Sequence, residues 1–298
     1  MAAQLFAFAF RAMGSPCELQ LFANDADDAR RIFEDARADV ERLEQRYSRY
    51  RANSLLSRLN RVAARGGCAR VDAETAQLLE YAATCHRESD GLFDVTSGKL
   101  REAWRFEGDA LPDPELVREL LTRVGWEKLS WSKPVLRFQR GMEIDFGGIV
   151  KEYAVDRVAE ACRTRGAASA LVNLGGDVRV MGARPDGAPW RVGVRHPRDP
   201  LALLDALAMR EGAIATSGDY ERCIVVDGVR YGHILNPRSG WPVRRLAAVT
   251  VVADLCVVAG SAATIGMLKD DAGPQWLARL GLPHLWVDTA GNVGGTLA

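Results

Sequence analysis

The sequence has no paired-cysteine motif, no long hydrophobic run and no excess charge of one sign, and each absence excludes a class of protein. Its six cysteines are scattered without CxxC spacing, so reduced thiols are expected and a thiolate metal site is not. No apolar stretch is long enough to cross a bilayer. Lysine plus arginine and aspartate plus glutamate number 39 each, so the net charge gives no general attraction to nucleic acid or to an anionic membrane.

The N-terminus also lacks a basic region ahead of its short apolar run at 5–10. This run predicts a strand and not a signal peptide, and we therefore expect a cytoplasmic protein. A start codon assigned too late, which would hide an upstream export segment, is the alternative.

What the sequence does contain is typical of a globular protein. With 298 residues and 48% hydrophobic content, the chain can bury a large core. No linker, repeat or low-complexity tract divides it. We predict one domain over residues 1–298, of the α+β class, with a mostly antiparallel or mixed sheet and flanking helices.

Hydrophobic periodicity predicts the main elements. A long amphipathic helix is expected over 25–51, with its apolar face formed by Ala29, Ile32, Phe33, Ala36, Val40, Leu43 and Tyr47. Further helices are expected from the N-cap candidate Asp72 to about Arg87, from 150 to a stop at Gly166, and over 257–268. Strands are predicted at 169–174, 177–181, 190–194, 224–235 with a fold at Asp227-Gly228, 249–253 and 285–288.

The most informative segment is 142–156, which reads MEIDFGGIVKEYAVD and places an acid, two glycines and a lysine where a strand should meet a helix. Free amides and the dipole at a helix start favour phosphate, and glycines admit a ligand close to the backbone. Lys151 would add a cation, and a divalent metal bridging to a diphosphate would explain Asp145. The alternative is structural: a tight glycine turn, a capping Asp145 and a solvated Lys151.

Four further turns share this character, being rich in glycine or small residues with a polar group at a strand end. They read MGS at 13–15, NLGGD at 173–177, TSGDY at 216–220 and HILNPRSG at 233–240. Turn chemistry explains each of them alone. In order, and together with SRY at 48–50, SLLSRLN at 54–60, LFDVT at 92–96 and PW at 189–190, they resemble the ApbE family of FAD:protein FMN transferases. The resemblance extends from Met13 to about Leu268.

The resemblance implies an enzyme that binds FAD, uses Mg²⁺ on the diphosphate, and moves FMN onto a threonine or serine hydroxyl of a target protein with release of AMP. Some relatives mainly hydrolyse FAD. Attack on the phosphorus nearest the flavin needs neutralisation of charge, an in-line hydroxyl and a base for its proton. The partners implied are FAD and a flavin-accepting protein, whose identity the sequence does not reveal.

By position, the resemblance also assigns the site residues. Asp145 and Lys151 match residues that contact FAD, and Gly148 matches one whose carbonyl ligates the metal. The other flavin and adenine contacts would be Met13, Tyr50, Leu92, Phe93, Asp94 and Ile234.

Two of the candidate residues also have a physical case of their own. The ring of Tyr50 could stack on isoalloxazine or adenine, or it could simply end an amphipathic helix over the core. His233, one of four histidines, is the candidate catalytic base because imidazole titrates near neutral pH; otherwise it is a structural hydrogen-bonding histidine.

Two departures from the family pattern concern the metal. Relatives usually read Ala-Asp-Ala-Leu-Ala-Thr late in the chain, with the Asp and the Thr as metal ligands. Here the segment reads AGSAAT, so Thr264 is kept and Gly260 replaces the acid, which should weaken Mg²⁺ binding. Water, Asp254 or Ser261 could fill the gap, although helical spacing turns Ser261 away and Asp254 precedes the helix. Glu152 stands where the family mostly has glycine, and we expect it to crowd the diphosphate entrance or to face solvent.

Two alternatives to active transfer remain. A binding protein of the same family would hold FAD without turning it over, or would hydrolyse it weakly, and Gly260 favours this hypothesis. An unrelated α+β enzyme would use the glycine turns for another phosphate ligand. Titration with FAD separates this last hypothesis from the first two.

Overall fold

The computed structural model describes residues 3–298. Its helices are α1 (Ala26–Tyr47), α2 (Leu55–Arg65), α3 (Ala73–Glu88), α4 (Pro114–Leu121), α5 (Val150–Thr164), α6 (Cys256–Leu268) and α7 (Gly273–Leu280), with a 3-10 helix at Val95–Glu102. Its strands are β1 (Gln4–Ala12), β2 (Ser15–Ala23), β3 (Gly67–Arg70), β4 (Ser130–Ser132), β5 (Val135–Phe138), β6 (Ser169–Leu174), β7 (Asp177–Met181), β8 (Trp190–Arg195), β9 (Leu203–Met209), β10 (Gly212–Gly218), β11 (Cys223–Val226), β12 (Val229–Gly232), β13 (Leu246–Ala253), β14 (His284–Asp288) and β15 (Val293–Gly295).

An eight-stranded sheet organises the fold, in the order β1-β2-β6-β7-β10-β13-β14-β15. Its neighbouring strands pair antiparallel. The central strands β6, β7 and β13 are buried almost throughout, because helices α1, α5 and α6 cover one face and the β8–β9 hairpin covers the other. The predicted α+β class is therefore confirmed.

The predicted helices form where their periodicity placed them, except that α1 ends at Tyr47 and not at Arg51. Each residue of the expected apolar face of α1 is buried. Asp25 and Asp72 cap α1 and α3 by accepting hydrogen bonds from the backbone N–H groups of Asp28 and Thr75. Beyond α5, Gly166 adopts a φ of 85°, the left-handed geometry that stops a helix.

The strand expected before α5 is absent, which corrects the sequence prediction. The extended segment ending at Asp145 is held by a side chain instead of by a sheet neighbour: Asn60 accepts from the N–H of Ile144 and donates to its carbonyl, both at 2.9 Å. Asp145 N–H then donates to Val95 O at 2.8 Å. A long-range amide clamp of this kind leaves no periodic signal, so local pattern could not reveal it.

Two further observations concern the class of protein. In the described part of the chain, no helix is both long and apolar enough to cross a membrane. Its six cysteines are free thiols.

Candidate functional site

Two glycine turns meet at one edge of the large sheet. The β1–β2 turn contains Met13 and Gly14 at φ 51° and 73°, and the β6–β7 turn contains Gly175 at φ 64°. The N–H of Gly175 donates to Pro16 O at 3.0 Å. A Cβ on Gly175 would lie 2.7 Å from Ser15 Cβ, so glycine is required there both by φ and by this close approach.

Lys151, in the first turn of α5, lies beside these two turns. Its Nζ is 2.6 Å from Asp177 Oδ2, and its Cδ would be 3.9 Å from a Cβ on Gly175. Burial lowers the pKa of Lys151, but the charges of Asp177 and then Glu152 outweigh burial and hold its pKa above the ordinary value. Lys151 is thus a partly buried cation, fixed by an ion pair at a glycine-lined edge, and not the freely solvated lysine of the structural alternative.

Asp145 is held by arginines. Its Oδ2 accepts from Arg49 Nη1 at 2.8 Å and lies 3.8 Å from Arg101 Nε, while its Oδ1 accepts from the N–H of Gly147 at 2.8 Å. Asp145 therefore shapes the Gly147-Gly148 turn and does not cap α5, whose N-cap position Ile149 has no side-chain cap bond.

Tyr50 and Met13 lie on the solvent side of this edge. The side chain of Tyr50 is exposed, at 75%, and its hydroxyl accepts a hydrogen bond from Arg222 Nη1 at 3.3 Å. Arg222 also approaches Gly14, where a Cβ would be 3.9 Å from its Nη2. Met13 is anchored through its N–H to a Glu44 carboxylate oxygen at 2.9 Å. An exposed ring on a fixed backbone is available for stacking.

The strip Leu92-Phe93-Asp94 lies against the glycine turn of the opening motif. A Cβ on Gly148 would be 3.2 Å from the Phe93 ring, so the glycine allows this contact. Asp94 is buried, and its carboxylate accepts from the N–H and hydroxyl of Thr96 and from the N–H of Trp126. Asp94 therefore fixes the strip in place through bonds within the protein.

His233 and Ile234 follow strand β12. Burial, and then the positive charges of Arg101 and Arg222, lower the pKa of His233 to about 4. Its Nδ1 is buried and has no hydrogen-bond partner within residues 3–298. The ring is therefore neutral at neutral pH. Ile234 is buried.

Of the two residues assigned to the metal, Gly148 lies just before α5 and Thr264 lies on α6. Thr264 is hydrogen bonded to Ser217 of β10, with 2.8 Å between the hydroxyl oxygens. Gly260, one turn earlier on α6, faces Glu152: a Cβ at Gly260 would lie 2.5 Å from Glu152 Cγ and 3.2 Å from its Oε1. Glu152 is 7% exposed, so the expectation that it faces solvent is wrong.

Burial, followed by the charge on Asp177, raises the pKa of Glu152, while Lys151 opposes the shift. Its Oε2 is buried and has no hydrogen-bond partner among the described residues. Ser261 does turn away, as expected, and bonds to the hydroxyl of Tyr81 at 2.6 Å.

Sequence reasoning missed three arginines, Arg49, Arg101 and Arg222, which surround Asp145, Tyr50 and His233. Arg49 lies within the SRY stretch, and Arg222 follows TSGDYE. Basic residues inside motifs that predict a diphosphate ligand were a usable signal for these two. Arg101 carries no such signal, because it is brought in by the 3-10 helix after Asp94.

The fold and this edge define an α+β protein with a glycine-lined, cation-bearing site suited to a phosphate ligand. Residues 13–286 match a family model described as the ApbE family. The FAD:protein FMN transferase of Klebsiella pneumoniae (strain 342) is 33% identical over 256 residues, covering 84% of this chain and 78% of the relative. Its namesake from Vibrio cholerae serotype O1 is 33% identical, covering 76% and 69%.

Solved structures of ApbE proteins are also similar to this chain. The ApbE protein from Thermotoga maritima superposes with a TM-score of 0.89 at 31% identity, covering 99% of this chain and 97% of that one. The Pseudomonas stutzeri flavinyl transferase ApbE, apo form, gives 0.89 at 28% identity, covering 100% and 96%. The chain belongs to the ApbE family.

Proposed function

We propose that this protein is an FAD:protein FMN transferase, which moves FMN from FAD onto a threonine or serine hydroxyl of a target protein and releases AMP. One observation carries the proposal: a partly buried lysine, paired with Asp177, stands beside two facing glycine turns at the sheet edge. Such a site suits a diphosphate, because backbone approach and a fixed positive charge both favour the anion.

Each residue then has a distinct task. Lys151, held in place by its ion pair with Asp177, would donate a hydrogen bond to the diphosphate, and the arginines around Asp145 hold the loop that leads to it. Tyr50 stacks on a flavin or adenine ring, with Met13, Leu92, Phe93, Asp94 and Ile234 completing the walls. His233 is the candidate catalytic base, which accepts the proton of the acceptor hydroxyl; its lowered pKa keeps it unprotonated.

Mg²⁺ fits the donor set of this site. Hard oxygen donors are what Mg²⁺ prefers, and the Gly148 carbonyl and the Thr264 hydroxyl would hold it. Glu152 faces Gly260, one turn before Thr264 on α6, and its buried Oε2 has no partner in residues 3–298. When bound, the ion neutralises charge on the phosphates. Taken alone, the replacement of an acid by Gly260 weakens this site.

The assay incubates the purified full chain with FAD, MgCl₂ and a series of candidate acceptor proteins bearing threonine or serine. We expect covalent FMN on an acceptor, seen by mass spectrometry, and an equal amount of AMP. His233→Ala should lower the rate about 10²- to 10⁴-fold, since that is the usual contribution of a general base, while FAD affinity stays near that of the parent. Absence of both products with every acceptor would reject the proposal.

Gly260 favours a second candidate, a family member that binds FAD without transferring FMN or that hydrolyses it slowly. That candidate predicts FAD binding by fluorescence quenching together with no covalent product. Rapid Mg²⁺-dependent flavinylation by the parent would eliminate it.

The whole chain, 1–298, would act as one catalytic unit with a flavin-accepting protein as its partner. Its free cysteines support the cytoplasmic location proposed from the sequence, because thiols persist in reducing compartments. Cell fractionation with a tag-specific antibody tests this location.

A further inference from the structure

The two departures from the family pattern touch each other across the α5–α6 interface. Glu152 replaces a glycine on α5, and Gly260 replaces an acid on α6. The Glu152 carboxyl carbon and Oε1 lie 3.1 and 3.2 Å from the point that a Cβ of residue 260 would occupy. Its carboxylate therefore fills the space that an aspartate at 260 would otherwise use.

We propose that Glu152 supplies, from α5, the magnesium-ligating carboxylate that α6 lacks at Gly260. The ligand is thereby moved from one helix to the other, and the metal site is rebuilt and not weakened. This inference rests on the proposed Mg²⁺-dependent transfer.

Sterics link the two positions. With Glu152 in place, a Cβ at 260 would be 2.5 Å from its Cγ, a distance that non-bonded carbons do not adopt. Cγ is near the backbone end of the side chain, so a small rotation does not relieve the clash. Glycine at 260 is thus the condition for Glu152 in this conformation.

The charges around Glu152 also favour a bound cation. Lys151 neutralises one of the two carboxylates beside it, Asp177, through the 2.6 Å ion pair. The second, Glu152, has a buried Oε2 without a hydrogen-bond partner in the described chain. A buried carboxylate oxygen without a partner is costly unless a proton or a cation satisfies it. Together with the Thr264 hydroxyl one turn along α6, it offers the hard oxygen ligands that a divalent ion needs.

The test measures metal binding directly. Mn²⁺ binding to the full chain, with ADP present, is followed by electron paramagnetic resonance for the parent and four variants. These are Glu152→Gln, Glu152→Gly, the swap Glu152→Gly with Gly260→Asp, and the matched control Glu160→Gln, an exposed acid on the same helix. Thermal unfolding checks that each variant is folded.

We expect Glu152→Gln and Glu152→Gly to weaken Mn²⁺ binding by about tenfold or more, since each loses one charged ligand. Glu160→Gln should leave it unchanged. The swap should bind Mn²⁺ within about threefold of the parent, because the acid returns on α6. If Glu152 instead has a purely structural role through a hydrogen bond to Asp177, Glu152→Gln should keep that bond and bind Mn²⁺ with the affinity of the parent.

Parent-like Mn²⁺ affinity in Glu152→Gln, or a parent that binds no Mn²⁺, would overturn the inference. If Glu152→Gln does not fold, the swap decides: failure of the swap to bind Mn²⁺ overturns the inference, and recovery supports it. FMN transfer is scored separately. If the parent transfers FMN and Glu152→Gln keeps the parent's affinity for Mn²⁺, only this inference is refuted. If Mn²⁺ binding depends on Glu152 but the parent transfers no FMN, only the proposed function is refuted.

Discussion

Lys151 and His233 are both partly buried, and their pKa values shift in opposite directions. Lys151 keeps its charge because Asp177 lies 2.6 Å away. His233 has no acid in contact and faces Arg101 and Arg222, so its pKa falls to about 4. The same desolvation therefore leaves one group charged and the other neutral, and the neighbours decide which.

The lowered pKa of His233 predicts a pH dependence of stability. Between its ordinary pKa of 6.5 and about 4, the unfolded chain binds a proton that the folded chain does not. The contribution of neutral His233 to the free energy of unfolding is therefore fully present above pH 6.5. It is lost as the pH falls towards 4, by up to about 3 kcal/mol. Urea unfolding of the parent and of His233→Gln should show this difference.

The free energy difference between parent and variant should be constant above about pH 7, which serves as the internal control. This free energy difference should decrease steadily as the pH falls below about 7. A difference that does not change with pH would show that His233 titrates alike in both states.

At the scale of elements, α5 sets the start of α6. Leu255 offers α6 no side-chain cap. Asp156 of α5 takes over this role and accepts from the N–H groups of Cys256 and Val257 at 2.8 and 2.9 Å. Arg179 of β7 donates to the same carboxylate at 2.8 Å. The last acid of the DFGGIVKEYAVD motif thus positions the helix that carries Gly260 and Thr264.

Removing this cap should destabilise the folded protein. Asp156→Ala leaves two helix-start N–H groups and the buried Arg179 without their acceptor, so we expect a loss of about 3–5 kcal/mol in the free energy of unfolding. Asp156→Asn, which keeps one acceptor oxygen, should lose less. Glu160→Ala on the exposed side of the same helix should change stability by less than about 0.5 kcal/mol. Denaturant titration measures all three, and equal losses in Asp156→Ala and Glu160→Ala would contradict the cap.

At the scale of the whole molecule, the antiparallel sheet creates the site. Residues far apart in sequence reach one edge because the β1–β2 and β6–β7 turns lie on neighbouring strand pairs. Helices α5 and α6 then pack on the same face and bring Lys151, Glu152 and Thr264 towards that edge. No single element contains a complete site.

A site assembled from the whole fold should stabilise the whole fold when occupied. FAD at about 100 times its dissociation constant should add about 2.7 kcal/mol to the free energy of unfolding, and MgCl₂ should increase this further. Riboflavin, which lacks the diphosphate, should stabilise much less. Differential scanning fluorimetry with each ligand measures the effect, and equal stabilisation by riboflavin and FAD would argue against a diphosphate site.

Local pattern predicted much of the fold. The apolar face of α1, the caps Asp25 and Asp72, and the β6–β7 and β11–β12 hairpins follow from periodicity and turn chemistry, because these depend on residues close in sequence. Helices α2, α4 and α7 were not predicted, nor were strands β2, β3 to β5, β9 and β10. Most of these elements are short or weakly periodic, and their stability comes from packing against the rest of the chain.

The sequence by itself determined the α+β class, the ordered motifs and the two departures at Glu152 and Gly260. It led to the expectation of two separate defects, because position along a chain does not reveal contact between helices. Only the tertiary structure decided that the two residues share one space, since packing of α5 on α6 sets their distance. Tertiary packing also brought Asp177 of β7 to Lys151 and left His233, after β12, without an acid, and those neighbours fix the charge of each group.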